Sequence, residues 1–286
     1  GQIAVADKKI YALRDVTATV GCIPLIASSI MSKKLAAGSD AILLDVTMGD
    51  GAFMKDLDSA LELARLMVSI GTAHGRKVAA LITDMDKPLG QNIGNALEVA
   101  ESMAVLQGRG PADLTEVCLQ LASNMLLLAG KGDLAACRAM AEGVIADGSA
   151  FEKCCQMFAA QGGDVSVLRD ADKFRKAKYS FALTAPKDGY IYKNDVEKIG
   201  NASVLLGAGR IKKEDSIDFA AGITMHKKLG DFVKAGESIC TFYADDEALF
   251  APAEEMYRSG LVIRDEKPAV PPLVYARVTA DGVETF

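Results

Sequence analysis

Two short apolar runs separated by a helical pattern constrain the fold of this 286-residue chain more than any other feature. Residues 40–46, DAILLDV, precede a Gly-rich turn and are typical of a buried strand, and residues 77–83, KVAALIT, predict the next strand. Between them, residues 55–73 carry apolar side chains at helical spacing. A strand, a helix and a strand in this order predict a parallel pair with a right-handed crossover. The predicted fold class is therefore α/β.

The predicted secondary structure changes from helices to short strands near residue 170. Before that point Gly, Pro and Asp residues mark the ends of successive helical patterns, and after it short strand patterns alternate with Gly turns. The helices are predicted at about 93–107, 113–129, 133–147 and 149–160, and the strands at 179–183, 189–192 and 238–243. This change predicts a parallel or mixed sheet with flanking helices, followed by a small C-terminal α+β domain.

Composition excludes several classes of function. The net charge is −6, so no basic surface is available to neutralise a nucleic-acid backbone. No apolar run approaches the roughly 20 residues that cross a bilayer. The six cysteines form no CxxC pair and only two histidines accompany them, which is typical of reduced thiols in a cytoplasmic protein. We therefore expect a cytoplasmic protein that binds neither nucleic acid nor membrane.

Three polar residues that could bind a ligand lie on or just before a helix predicted from residue 24 to 37. Pro24 is at its first position. Ser29 and Lys33 are four residues apart and share one face of this helix. Arg14 precedes it by a connection long enough for the guanidinium to reach that face. These three residues could bind a ligand together.

A simpler interpretation exists for the same charges. Arg14 could pair with Asp15 or another carboxylate, while Lys33 and Lys34 form a solvated face, because exposed charges on helices usually have no further role. Spacing alone favours this interpretation.

The sequence runs around these residues resemble a known family. YALRDVTATV (11–20) followed by IPLIASSIMSKKLAAG (23–38) is similar to the signature region of the pyrimidine-nucleoside phosphorylase and thymidine phosphorylase family. Further similarity covers residues 40–54, 83–99 and 205–218. The resemblance implies a pentosyltransferase that converts uridine, thymidine or deoxyuridine and phosphate into free base and (deoxy)ribose 1-phosphate.

The resemblance also implies roles for individual residues. Arg14, Ser29 and Lys33 match positions that hydrogen-bond the pyrimidine base, and Tyr11 matches a position that lies against it. Negative charge builds on the departing base, so Arg14 and Lys33 are the predicted catalytic residues, because cationic donors stabilise such charge most in the transition state.

A monovalent cation, such as potassium, is implied at a second place. Backbone oxygens of Leu89 and Asn92 and the carboxylate of Glu101 match its ligands, although Glu101 could equally be solvated. No organic cofactor is implied. Phosphate is the expected co-substrate, and the family's phosphate-binding loop matches nothing downstream of residue 1.

By this comparison the chain lacks the N-terminal third of the family sequence. Residues 1–38 would be the remnant of a helical lobe that binds the base and forms a homodimer. Residues 39–170 would form the α/β phosphorylase domain, and residues 171–286 the C-terminal α+β domain. We therefore expect this chain alone to be inactive, and the full-length protein to be a homodimer.

Two other functions remain open from the sequence. The chain could be a catalytically incomplete fragment or a binding module. It could also be a phosphoribosyltransferase of the anthranilate type, in which Asp84 and Asp86 would bind Mg²⁺ rather than cap a turn. One departure from the family is Thr47, where relatives commonly have Lys.

Overall fold

The computed structural model describes residues 3–286 and, at Asp15, the backbone without the side chain. The chain divides into two compact units. The first comprises the chain up to Met85 together with Val117–Ala141 and Pro272–Phe286, and the second comprises Asp86–Glu116 and Glu142–Pro271. The domain boundaries predicted at residues 38 and 170 stay a prediction.

The secondary structure follows the predicted order closely. The helices are α1 Val5–Val16, α2 Ile23–Ala36, α3 Leu57–Ala73, α4 Asn95–Leu106, α5 Ala112–Leu128, α6 Leu134–Ala146, α7 Ser149–Ala160, α8 Ser166–Arg169, α9 Val196–Ser203 and α10 Phe250–Ser259. The strands are β1 Ala41–Met48, β2 Lys77–Asp84, β3 Asn92–Ile93, β4 Tyr179–Thr184, β5 Gly189–Asn194, β6 Gly222–Met225, β7 Phe232–Val233, β8 Ser238–Ala244, β9 Leu261–Arg264, β10 Val274–Thr279 and β11 Gly282–Thr285.

The first unit contains the predicted strand, helix and strand. β1 and β2 are parallel and pair from Ala41 opposite Lys77 to Met48 opposite Asp84. The sheet continues with β10 antiparallel to β2, and then β11, so its order is β1-β2-β10-β11. The predicted mixed α/β fold is therefore confirmed, although the sequence did not predict that the C-terminal hairpin completes this sheet.

Burial explains why the two strands carry different patterns. β2 lies between β1 and β10, and six consecutive residues of it are buried or nearly so. β1 buries alternate side chains, Ile42, Leu44, Val46 and Met48, which pack with α3. Ala27 and Met31 of α2 are fully buried in the same core and anchor that helix. Its opposite face is left available for polar residues.

The second unit contains the C-terminal α+β region, as predicted. Its two sheets, in the orders β3-β6-β8-β4 and β7-β5-β9, are antiparallel. They share a core that includes Leu183, Ile223, Phe242 and Tyr257. β3 is short, but it joins Asn92 to Thr224 of β6 and thereby fixes the turn that precedes α4.

Candidate functional site

The first two helices bring the four residues of the predicted base site together. Tyr11 and Arg14 lie on α1, and Ser29 and Lys33 lie on α2. The Tyr11 ring centroid is 5.4 Å from Arg14 Cζ and 5.9 Å from Lys33 Nζ. About half of Tyr11 is exposed, so the ring is accessible from solvent. We refer to Asp7, Tyr11, Arg14, Ser29 and Lys33 as the α1/α2 cluster.

Ser29 and Lys33 share one face of α2, as their spacing predicts. Lys33 Nζ donates hydrogen bonds to Ser29 Oγ at 2.9 Å and to Ser29 O at 3.1 Å. Ser29 is buried, whereas half of the Lys33 side chain is exposed. The ammonium group is therefore held at a defined point on the rim of the cluster, and it is not a freely solvated surface charge.

Asp7 is the member of the cluster that the sequence analysis missed. Its Oδ2 lies 2.8 Å from Lys33 Nζ, and the side chain is only 9% exposed. The hydrogen bond from Lys33 lowers the pKa of Asp7 below its ordinary value, against the opposing effect of burial, and Ser29 contributes a second hydrogen bond. A signal existed, because Asp7, Tyr11 and Arg14 have the i, i+4, i+7 spacing of one helix face.

Arg14 is buried and does not extend freely towards a ligand. Nη2 donates to Val20 O at 2.5 Å, while Nε and Nη1 lie 3.4 Å from Thr19 O and Leu25 O. The guanidinium therefore fixes the connection between α1 and α2, where Ala18 adopts a left-handed backbone with φ 55°. The alternative pairing with Asp15 lies outside the described residues, since the Asp15 side chain is not described.

The predicted cation site surrounds a buried carboxylate. Glu101 is 7% exposed, so the alternative of a solvated side chain is wrong. Its Oε1 accepts hydrogen bonds of 2.9 Å from Gln91 N and Asn92 Nδ2, whereas the hydrogen bond to Oε2 seen among the described residues is a long one of 3.5 Å from Asn92 N. Oε2 therefore retains capacity to accept a cation.

Glycine is required where the turn meets this carboxylate. Gly90 has φ +73°, and a Cβ added there would lie 2.2 Å from Glu101 Oε2. Asn92 Oδ1 accepts a hydrogen bond of 2.6 Å from Thr224 Oγ1, so both ends of the Asn92 amide are fixed. Leu89 lies in the same turn, next to Gly90. The turn is thereby held tightly against Glu101.

Two further residues that the sequence analysis did not assign support this turn. Lys228 Nζ donates to Pro88 O at 3.1 Å and to Asp113 Oδ2 at 2.5 Å. Desolvation raises the pKa of Asp113, but hydrogen bonds from Lys228, Leu114 and Gly90 outweigh it and lower the pKa overall. An ion pair between Lys228 and Asp113 therefore flanks the turn that carries Leu89 and Asn92.

The remaining predicted positions, Asp84, Asp86 and Thr47, belong neither to the α1/α2 cluster nor to the turn at Glu101. Asp84 ends β2 and Asp86 follows it, and within residues 3–286 no group of three or more His, Cys, Asp or Glu side chains is arranged to hold a metal ion. Thr47 lies in β1 opposite Thr83 and is half-buried. No helix among the described residues is long and apolar enough to cross a membrane.

Comparison with known proteins identifies the class. Residues 2–151 match the family described as glycosyl transferase family, a/b domain, and residues 190–264 match the pyrimidine nucleoside phosphorylase C-terminal domain. The chain therefore belongs to the glycosyl transferase family defined by this α/β domain.

Individual relatives agree with this assignment. Over 280 residues, or 98% of the chain, it is 50% identical to the pyrimidine-nucleoside phosphorylase of Geobacillus stearothermophilus and 48% identical to that of Bacillus subtilis (strain 168). It is 51% identical over 246 residues, 86% of the chain, to that of Staphylococcus aureus (strain USA300). The matched region covers 64%, 64% and 57% of those proteins, so the chain spans less than two thirds of their length.

Proposed function

We propose that this chain functions in a pentosyltransferase that phosphorolyses pyrimidine nucleosides. Uridine, thymidine or deoxyuridine reacts with hydrogen phosphate: the bond between C1′ and base N1 breaks and its electron pair leaves with the base, an oxygen of phosphate bonds to C1′, and the proton that phosphate loses ends on N1 of the base. The products are the free base and (deoxy)ribose 1-phosphate. The observation that carries this proposal is the convergence of Tyr11, Arg14, Ser29 and Lys33 in the α1/α2 cluster.

The cluster suits a base that becomes anionic as it leaves. Arg14 and Lys33 are fixed cationic donors, so they stabilise charge that develops in the transition state without having to reorganise. Tyr11 supplies an aromatic surface for the planar ring. Ser29 supplies a small hydroxyl that can pair with the polar edge of the base.

The remaining parts of the proposal rest on the family. Phosphate is the co-substrate, no organic cofactor is required, and the active protein is a homodimer. The six cysteines are free thiols, which supports a reducing, cytoplasmic location. The inactivity of this chain alone stays a prediction, which an assay for uridine or thymidine phosphorolysis tests.

A base titration tests the α1/α2 cluster. We expect Lys33→Ala to weaken uracil binding by about 10-fold to 100-fold, because a charged hydrogen bond is lost and Asp7 is left unpaired. Isothermal titration calorimetry with uracil measures the effect. Lys34→Ala is the matched control, since Lys34 is the neighbouring exposed lysine on the same helix and should leave affinity unchanged.

Equal losses of uracil affinity in the Lys33 and Lys34 variants would show that only the overall positive charge of the helix matters. That result would contradict the assignment of the base site to the α1/α2 cluster. The same titration addresses the alternative functions. Uracil binding that does not depend on Mg²⁺ argues against a phosphoribosyltransferase of the anthranilate type. Absence of uracil binding by the unmodified chain would favour the alternative of a fragment or module without this function.

A thermal shift experiment tests the cation site. We expect potassium chloride to raise the melting temperature above that in choline chloride of equal ionic strength, because an ion that binds only the folded state stabilises it. Glu101→Gln should abolish this difference, since the buried carboxylate is the charged ligand. Glu98→Gln is the control, because Glu98 lies one turn earlier on the same helix and accepts a capping hydrogen bond of 3.0 Å from Gly94 N. A shift that survives in Glu101→Gln would contradict the assignment.

A further inference from the structure

The turn of the predicted cation site is attached at two points to the end of β6 and the residues that follow it. Met225 ends β6, and its N–H donates a hydrogen bond of 2.7 Å to Gln91 O. Three residues later, Lys228 Nζ donates one of 3.1 Å to Pro88 O. Leu89, whose carbonyl oxygen is a predicted ligand of the cation, lies between these two points. The turn is therefore constrained on both sides of that ligand.

The planarity of the peptide group transmits the first of these constraints to Leu89. Because the carbonyl of Pro88 and the N–H of Leu89 belong to one rigid plane, holding Pro88 O also fixes the direction of the Leu89 N–H. On the other side, Gly90 has φ +73° and Gln91 N donates a hydrogen bond of 2.9 Å to Glu101 Oε1. The Leu89 carbonyl consequently has little freedom to change direction.

The positive charge of Lys228 is balanced next to this turn. Its ammonium group forms an ion pair with Asp113, and the two side chains are only 20% and 21% exposed. Charges that are shielded from water interact more strongly than solvated ones, so an unbalanced ammonium group at Pro88 O would disfavour a cation bound in the same turn. Asp113 therefore holds the ammonium group against Pro88 O and also neutralises it.

We propose that Lys228 and Asp113 are positioning residues for the cation: their ion pair holds Pro88 O, and through it the Leu89 carbonyl, in the arrangement that binds potassium together with Glu101. Both act through the turn, and neither is itself a ligand of the ion. The inference rests on the proposed function, because it takes the cation site of that proposal as given. Removal of groups that orient metal ligands typically lowers metal affinity by about 10-fold to 100-fold.

A potassium titration of thermal stability tests this role. The melting temperature of the full chain is measured over a series of potassium chloride concentrations, with choline chloride added to keep the ionic strength constant. Its dependence on potassium gives the apparent dissociation constant of the ion, because an ion that binds only the folded state stabilises that state. We expect Lys228→Met to raise this constant about tenfold. A lysine with only a structural role would instead lower the melting temperature equally at every potassium concentration.

Lys227→Met is the matched control. Lys227 is the preceding residue, pairs with Glu237 at 2.7 Å and donates to a backbone carbonyl, Phe232 O, at 3.4 Å. The substitution therefore removes the same kinds of contact from the same unit, outside the turn, and should leave the potassium constant unchanged. Lys228→Arg keeps a charged donor at the turn and should retain most of the potassium affinity.

Asp113→Asn decides the question if Lys228→Met does not fold. It leaves the ammonium group unbalanced and should also weaken potassium binding, whereas adding it to Lys228→Met should weaken binding no further, since both residues act through one ion pair. Circular dichroism confirms that each variant is folded. An unchanged potassium constant in a folded Lys228→Met or Asp113→Asn, or an equal loss in Lys227→Met, overturns the inference. Absence of any potassium effect on the unmodified chain also overturns it, and uracil binding, measured separately, distinguishes these results from failure of the proposed function.

Discussion

Replacement of Arg14 by alanine is expected to lower the free energy of unfolding by about 2–4 kcal/mol, the range for removing one partner of a buried charged hydrogen-bond network. The guanidinium is 5% exposed and donates to the carbonyl oxygens of Thr19, Val20 and Leu25. Alanine removes all three of these donated hydrogen bonds and leaves a cavity, although Thr19 O keeps its hydrogen bond from Cys22 N at 3.2 Å. Urea unfolding of the purified chain measures the loss.

Two further variants show whether the loss of stability in Arg14→Ala comes from the three hydrogen bonds or from the loss of a positive charge. Arg76→Ala removes an arginine that pairs with the exposed Asp40 in the same unit, and an exposed pair of this kind contributes only about 0–1 kcal/mol. Arg14→Lys keeps the charge but not the planar fork that reaches three carbonyls, so it should recover less than half of the loss. A loss in Arg14→Ala as small as that in Arg76→Ala would show that the three hydrogen bonds contribute little.

The Arg14 variant should also lose affinity for uracil. Arg14 fixes the connection that joins α1 to α2, and those helices carry Tyr11 and Lys33 respectively. If this connection loosens, Tyr11 and Lys33 no longer keep a fixed separation. This effect adds to the loss of any hydrogen bond between Arg14 and the base. Arg14→Ala is therefore expected to weaken uracil binding at least as much as Lys33→Ala does.

The second large effect is expected at Gly90. Gly90→Ala and Gly75→Ala both place a side chain at a left-handed backbone position, with φ +73° and +70°, which costs roughly 1–2 kcal/mol. No atom lies within 4 Å of a Cβ built at Gly75, whereas one built at Gly90 would lie 2.2 Å from Glu101 Oε2. We expect Gly90→Ala to be more destabilising than Gly75→Ala by a further 1–3 kcal/mol or so, because Glu101 must shift from its hydrogen bonds.

A double substitution shows whether Glu101 is the cause. In a Glu101→Ala background the carboxylate is gone, so adding Gly90→Ala should cost only slightly more than Gly75→Ala does, because the one close contact left is Leu114 Cδ2 at 3.3 Å. Urea unfolding of the four variants completes the comparison. Equal effects of Gly90→Ala and Gly75→Ala in the otherwise unmodified chain would mean that the turn is not held against Glu101.

Local patterns were sufficient for most of the secondary structure. The apolar run of β1, the helical period of α3 and the run of β2 each occupy a short stretch, and their order predicts a parallel pair. The pairing of β10 with β2 was not predictable in this way. Nearly two hundred residues separate the two strands in sequence, and no local pattern records which of several strands becomes a neighbour.

Some features of the site were also predictable from the sequence, and others depend on the tertiary structure. The sequence alone determined that Ser29 and Lys33 share a helix face, because the period of an α-helix depends only on spacing, and the family motifs named Tyr11 and Arg14 as their companions. Only the tertiary structure decided that Asp7 neutralises Lys33, that Arg14 holds three carbonyls and that Glu101 is buried. The physical reason is that burial and the choice of hydrogen-bond partners depend on atoms brought from other elements of the fold, and the spacing of residues along one segment carries no record of them.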